Sequence, residues 1–319
     1  MRVLALAPEL LLAGGVTVGY ACLLAGGPIA GRLSRFTLLL ALAGALAASV
    51  LFRAQGDELL FGVYRIDALS QLGKCAMLLG CLVAALNAWG EDRWAAMRVT
   101  SPFFHGAAAL CLVLTASTVD LLVAPLTWWM AGVAAVLLAS SVGRWSVLER
   151  IVRRSLGGLM AVTALTLTGV LLTAAASHGT RLDALRAAGE PKLAAHAIGL
   201  ALWASMALWM IAAAPVQLRR LASDATSSRA APIIAGTAMI AAGGLIVVRA
   251  LALAAGRIPD LLAQLLLAAA IAPAFVIAAR RFAVSFQKKR PALLTTFLAL
   301  ALAASLLWPW IVTAAGELD

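Results

Sequence analysis

Long apolar runs, separated by short clusters of charge, follow one another almost from end to end of the chain. Read against the roughly 20 residues a helix needs to cross the hydrocarbon core of a bilayer, the runs place membrane spans near 4–26, 36–52, 67–89, 101–118, 119–141, 155–177, 194–214, 231–254, 259–279 and 292–314. Helices are required because nothing in the hydrocarbon can satisfy backbone N–H and C=O groups except the segment itself. The pattern predicts an all-α, polytopic integral membrane protein of about ten transmembrane helices in one transmembrane domain, 1–319. The fourth and fifth runs meet at Ser117, Thr118 and Asp120, a turn suited to a tight antiparallel pair.

Two polar stretches interrupt the pattern. Residues 53–66 and 178–193 mix charge with Leu, Phe or Tyr, and read either as short amphipathic helices at the membrane interface or as solvated loops. The N-terminal run is expected to be the first span, not a cleaved signal, because Glu9 and a Gly-rich continuation to Gly27 replace a clear small-residue cleavage site.

Composition agrees with the pattern. Of the 319 residues 63% are hydrophobic and 12% charged, far from the balance of a water-soluble domain. The net charge of +11 does not point to nucleic acid, since Lys and Arg are dispersed among the loops and form no single patch. On alternate loops, sixteen basic residues fall on one side and seven on the other. Basic residues are retained in the cytoplasm, so the chain is expected in the cell inner (cytoplasmic) membrane with both termini on the outer, periplasmic side.

Candidate chemistry is sparse. There is no nucleophile elbow, phosphate loop or zinc motif, and Cys22, Cys75, Cys81 and Cys111 lack metal-ligand spacing and read as small buried hydrophobes. No catalytic residue, metal or cofactor is expected. The three histidines, His105, His178 and His196, are far apart, and a haem held by His105 and His196 is disfavoured by their opposite depths. What stands out is the short set of ionisable residues at membrane depth, functional candidates because placing them there is unfavourable: Lys74 in the third span, Glu9 in the first, Asp120 opening the fifth and Arg249 late in the eighth. Snorkelling or pairing is the competing structural explanation for Glu9, Asp120 and Arg249. Pro125, Pro215 and Pro273 are candidates for helix breaks of the kind transporters use, and Gly157–Gly158 and Gly243–Gly244 for close helix approach.

The order of several short motifs resembles the antiporter-like membrane subunits of respiratory complex I and related hydrogenases, especially the N subunit of bacterial NADH-quinone oxidoreductase. The matching elements are Pro8-Glu9 in the first span, Asp67 and Lys74 in the third and Thr118-Val119-Asp120-Leu121-Leu122 at the fifth. They continue with Ala212-Ala213-Ala214-Pro215, then Ala231-Pro232, Arg249, and Gln287-Lys288-Lys289-Arg290 before the tenth. The resemblance implies a membrane-arm subunit with other membrane subunits as partners, and it adds Lys289 to the proton-path candidates.

It also implies a loss. The Glu and Lys residues that the family uses to switch proton affinity would fall at Trp129, Met210 and Ala242, and Val216-Gln217 stands for the family's Phe-His. Family members run to about fourteen spans, against the ten read here. A chain so stripped of titratable groups is expected to be structural or coupling, with its own proton channel degenerate. Two other classes fit the residues less well. A stand-alone secondary transporter of a small solute or ion should show two similar halves, and none are evident; a lipid-active enzyme would need more than the lone acidic pair Glu91-Asp92.

Overall fold

In a computed structural model of the protein, the described residues are 6–51, 57–59, 62–89, 100–120 and 122–140, with isolated positions between 160 and 180. They form five helices and one small hairpin: α1 (Ala7–Ala25), α2 (Gly27–Leu51), β1 (Asp57–Leu59), β2 (Tyr64–Ile66), α3 (Ala68–Trp89), α4 (Thr100–Ser117) and α5 (Val123–Ser140). Of the sixth expected span only isolated helical positions between 160 and 175 are described, and the spans expected from the seventh onward lie outside the described residues. So do Met210, Ala242, Arg249, Lys289, Pro215, Pro273, His178, His196 and the stretch 178–193, apart from Thr180.

Proline marks where helices begin. Pro8, Pro28, Pro102 and Pro125 each fall within the first three residues of α1, α2, α4 and α5. In a first turn the missing N–H has no partner to lose, and the fixed φ suits a helix. Pro125 therefore starts α5 and does not break it. The start of α3 uses a reciprocal cap instead. The Asp67 carboxylate accepts from the Ser70 amide at 2.7 Å while the Ser70 hydroxyl accepts from the Asp67 amide at 2.9 Å, satisfying two groups that the first turn would otherwise leave bare.

Two regions differ from the sequence expectation. α2 begins at Gly27, nine residues before 36, so Arg32 and Arg35 lie within a helix and not in a loop. The α1–α2 connection is correspondingly tight. Gly26 and Gly27 take positive φ values of 67° and 84°, which side chains with a Cβ adopt only with strain, and the Gly26 amide returns to the Cys22 carbonyl at 3.0 Å. The second difference is in 53–66, where the described residues form an antiparallel hairpin in place of an amphipathic helix or a solvated loop. Asp57 pairs with Ile66, Glu58 with Arg65 and Leu59 with Tyr64. The reason is visible in Tyr64-Arg65-Ile66: Tyr64 and Ile66 are buried and Arg65 less so, the period-two alternation of a strand with one face inward.

The helices pack around a core drawn from all five: Leu12, Leu38, Leu42, Met77, Leu78, Cys81, Leu112, Val113 and Trp128, interleaved with alanines. Small residues set the spacing. A Cβ on Gly15 would stand 2.5 Å from the Ala41 Cβ, and one on Gly106 would stand 3.1 Å from the Val16 side chain, so α1 meets α2 and α4 nearly backbone to backbone, as helices do where lipid supplies no hydrophobic drive. The outer surface is the reverse. Leu24, Ile29, Leu33, Phe36, Leu40 and Leu51 are exposed along α1 and α2, the two described helices long and apolar enough to span a bilayer. Large exposed side chains of this kind belong against lipid or another apolar partner, and the chain is a mostly helical, membrane-embedded protein.

Candidate functional site

The hairpin lies across one end of the bundle, where α1, α3 and α5 begin and α2 and α4 finish. Its position is fixed from both sides. β2 runs directly into the Asp67 cap of α3, and at its other edge Tyr64 pairs with Thr118 while the Val119 amide donates to the Val63 carbonyl at 2.9 Å. The α4–α5 turn thus acts as a third short strand, and the Tyr64 side chain is driven into the bundle, 3% exposed.

There it meets two of the sequence candidates. The Lys74 ammonium lies 2.6 Å from Glu9 Oε1, and the Tyr64 hydroxyl donates to the same oxygen. The ammonium also sits 5.1 Å from the centre of the Tyr64 ring, within cation–π range. Lys74 is 1% exposed and Glu9 6%. Helix direction explains how they meet. Lys74 is six residues into α3, about 9 Å along the axis, but helical side chains lean toward the N-terminus, which carries the ammonium back to Glu9 in the first turn of α1. Two charges out of water compensate each other only with good contact and further hydrogen bonds; the phenol supplies one.

Glu9 Oε2, by contrast, is buried with no hydrogen-bond partner among the described residues. Donors thus converge on one carboxylate oxygen and leave the other bare. A carboxylate, an ammonium and a phenol in contact can hold or exchange a proton, yet a relay needs a next group within hydrogen-bond reach. Deeper along α3 come Met77, Leu78 and Cys81, all fully buried. Farther in, the imidazole of His105 donates from Nε2 to the Cys81 carbonyl at 2.9 Å. Cys81 is a further seven residues, about 10 Å, beyond Lys74. His105 thus ties α4 to α3, and its Nε2 is committed to that carbonyl.

Asp120 takes a different part. Its Oδ1 accepts from the Leu122 and Val123 amides at 2.8 and 3.1 Å, capping α5, and its Oδ2 accepts from the Thr180 hydroxyl at 2.7 Å. Every one of these contacts is to the α5 start or to Thr180, not to the Glu9–Lys74 pair. Trp129, where the resemblance puts a family carboxylate, is on α5 with its indole Nε1 buried and unpartnered among the described residues. Below the turn, the Thr115 hydroxyl reaches Thr127 Oγ1 at 2.8 Å, joining α4 to α5. Among the described residues no cluster of three or more His, Cys, Asp or Glu side chains is placed to hold a metal. Tyr64 is the member of the cluster that the sequence did not single out; the available signal was strand-like alternation beside Gly62.

No family model matches the sequence, and no curated protein matches it. The fold does have a solved counterpart. A chain of respiratory complex I from Thermus thermophilus, determined with bound aureothin, superposes with a TM-score of 0.64 at 22% identity, over 94% of this chain and 62% of that one. The likeness establishes a shared fold, and the present chain spans less than two thirds of its counterpart's length.

Proposed function

We propose that the chain is a membrane-arm subunit of a complex I-like or membrane hydrogenase-like proton-translocating assembly, structural or coupling in role and without a proton channel of its own. The observation that carries this reading is the fold shared with a complex I chain along 94% of the present sequence. Its motif order, which resembles the N subunit of NADH-quinone oxidoreductase, supports the finer assignment. What stands at the switching positions supports the channel-free reading. The indole of Trp129, with Met210 and Ala242, neither takes up nor releases protons, and the Glu9–Lys74 pair is followed inward by Met77 and Leu78. Lys74, Glu9, Asp120, Arg249 and Lys289 are the residues through which any remaining proton movement would pass. In this reading the chain sits in the cytoplasmic membrane with both termini outside, its exposed apolar faces against lipid or neighbouring subunits.

A stand-alone secondary transporter is the second reading, favoured by one observation: a buried Glu–Lys pair is a group that a carrier can load and unload. Extraction in mild detergent separates the two. Co-purification of quinone-reductase or hydrogenase components is expected, and a lone homogeneous species would favour the carrier. Robust proton uptake by the isolated chain in liposomes would refute the channel-free assignment.

A further inference from the structure

Charge is divided between the two ends of the described bundle. Every described Asp and Glu, namely Glu9, Asp57, Glu58, Asp67 and Asp120, belongs to the hairpin end, together with Arg65 and Lys74. The far end, where α1 finishes and α2 begins, holds Arg32 and Arg35 and no other Asp, Glu, Lys or Arg among the described residues. The two are one helical turn apart, and their guanidinium groups are near enough to feel each other's charge. Arg32 is exposed and Arg35 half-buried. Arg32 also borders an apolar face. Ile29, Leu33, Phe36 and Leu40 follow one another three or four residues apart and are all exposed, so they form one stripe along α2. Ile29, at 80%, is the most exposed large hydrophobic side chain described. Arg32 comes three residues after Ile29 and four before Phe36, at the edge of that stripe.

Depth points the same way. α2 has 25 residues, about 37 Å of helix against about 30 Å of hydrocarbon. Val50 and Leu51 at its other end are exposed and apolar, so the excess of about 7 Å falls at the Gly27 end. Arg32, five residues after Gly27, stands about 7.5 Å along the axis, at the hydrocarbon boundary, and side chains on α2 lean toward that same boundary. An Arg so placed carries its guanidinium to headgroup level while its stem stays on the apolar face, and the guanidinium fork matches the paired oxygens of a phosphate. We propose that the Arg32 face of α2 is a binding site for an anionic phospholipid. Arg32 holds the phosphate, Arg35 adds positive potential, and the acyl chains lie along Leu33, Phe36 and Leu40. The local charge is what selects the headgroup: a zwitterionic lipid carries a cation beside its phosphate, which two neighbouring guanidinium groups repel, whereas a net negative lipid meets no acidic side chain at this end among the described residues.

The inference needs α2 to span a bilayer and does not need membership of a complex, so co-purification and the following experiment fail independently. Full-length protein in detergent is mixed with equal amounts of phosphatidylglycerol and phosphatidylcholine bearing the same acyl chains, and retained lipid is counted by native mass spectrometry. Phosphatidylglycerol is expected to be retained severalfold in preference. Arg32→Gln should remove most of that preference and Arg32→Lys should keep much of it, while Arg229→Gln, which removes the same charge elsewhere in the chain, should leave it unchanged. Phosphatidylglycerol is also expected to raise the melting temperature of the unmodified protein more than that of Arg32→Gln, a reading that separates loss of the site from loss of the fold. Three results would overturn the proposal. Equal retention of the two lipids by the unmodified protein leaves the face to a neighbouring subunit, and an undiminished preference in Arg32→Gln places the lipid elsewhere. An equal fall in Arg32→Gln and Arg229→Gln reduces the effect to attraction by the net charge of +11.

Discussion

At the scale of single residues, the decisive contact joins Glu9, Lys74 and Tyr64. Its energetics are asymmetric. Two opposite charges in contact largely cancel, whereas removing one leaves the other buried and uncompensated, at about 3–5 kcal/mol. Lys74→Met and Glu9→Gln are each expected to destabilise the protein by roughly that amount, while the double replacement regains most of it; thermal unfolding of the four proteins in nanodiscs gives the coupling directly. If the single losses simply added, the pair would not be interacting. Tyr64→Phe keeps the ring over the ammonium and removes only the donated hydrogen bond, so a loss of about 1.5–3 kcal/mol is expected.

At the scale of elements, the helices are placed by close approach and by their ends. Gly15 lies so near Ala41 that a methyl group would stand 2.5 Å from it. Gly15→Ala should therefore destabilise by about 1–3 kcal/mol, and Ala41→Gly in the same chain should relieve it, since the two side chains compete for one space; melting temperatures of the single and double variants test this. The caps act at the other end. Asp67→Ala removes the acceptor of the α3 cap and is expected to cost about 1 kcal/mol, and because β2 leads straight into that cap it should also loosen the hairpin. Faster amide hydrogen exchange across Tyr64–Ile66 than in the unmodified protein is the expected signature; unchanged exchange there would show that the Thr118 edge holds the hairpin without help.

At the scale of the whole molecule, the described bundle is apolar outside, tightly packed inside and polar at one end. In that arrangement the layer of Met77, Leu78 and Leu112 separates the Glu9–Lys74 pair from His105, in keeping with the proposed channel-free role. Proteoliposomes containing the isolated chain are expected to take up protons no faster than empty vesicles under an imposed gradient. A clear excess, abolished by Lys74→Met, would mean that the pair communicates through the core.

The chain's hydrophobic pattern alone determined that it is helical and belongs in a membrane, because the energetics of apolar transfer and of backbone satisfaction are local and read directly from each run. It also marked Glu9, Lys74 and Asp120 as the polar residues at unusual depth. It could not say that Glu9 and Lys74 touch or that Tyr64 completes their cluster, because these depend on residues brought together across as many as 65 positions of sequence, from 9 to 74. Nor did it give the hairpin at 57–66: so short a polar segment fits a strand and an interfacial helix equally well until the edge at Thr118 offers its backbone groups. Where pairing across the fold supplies the free energy, only the tertiary structure decides.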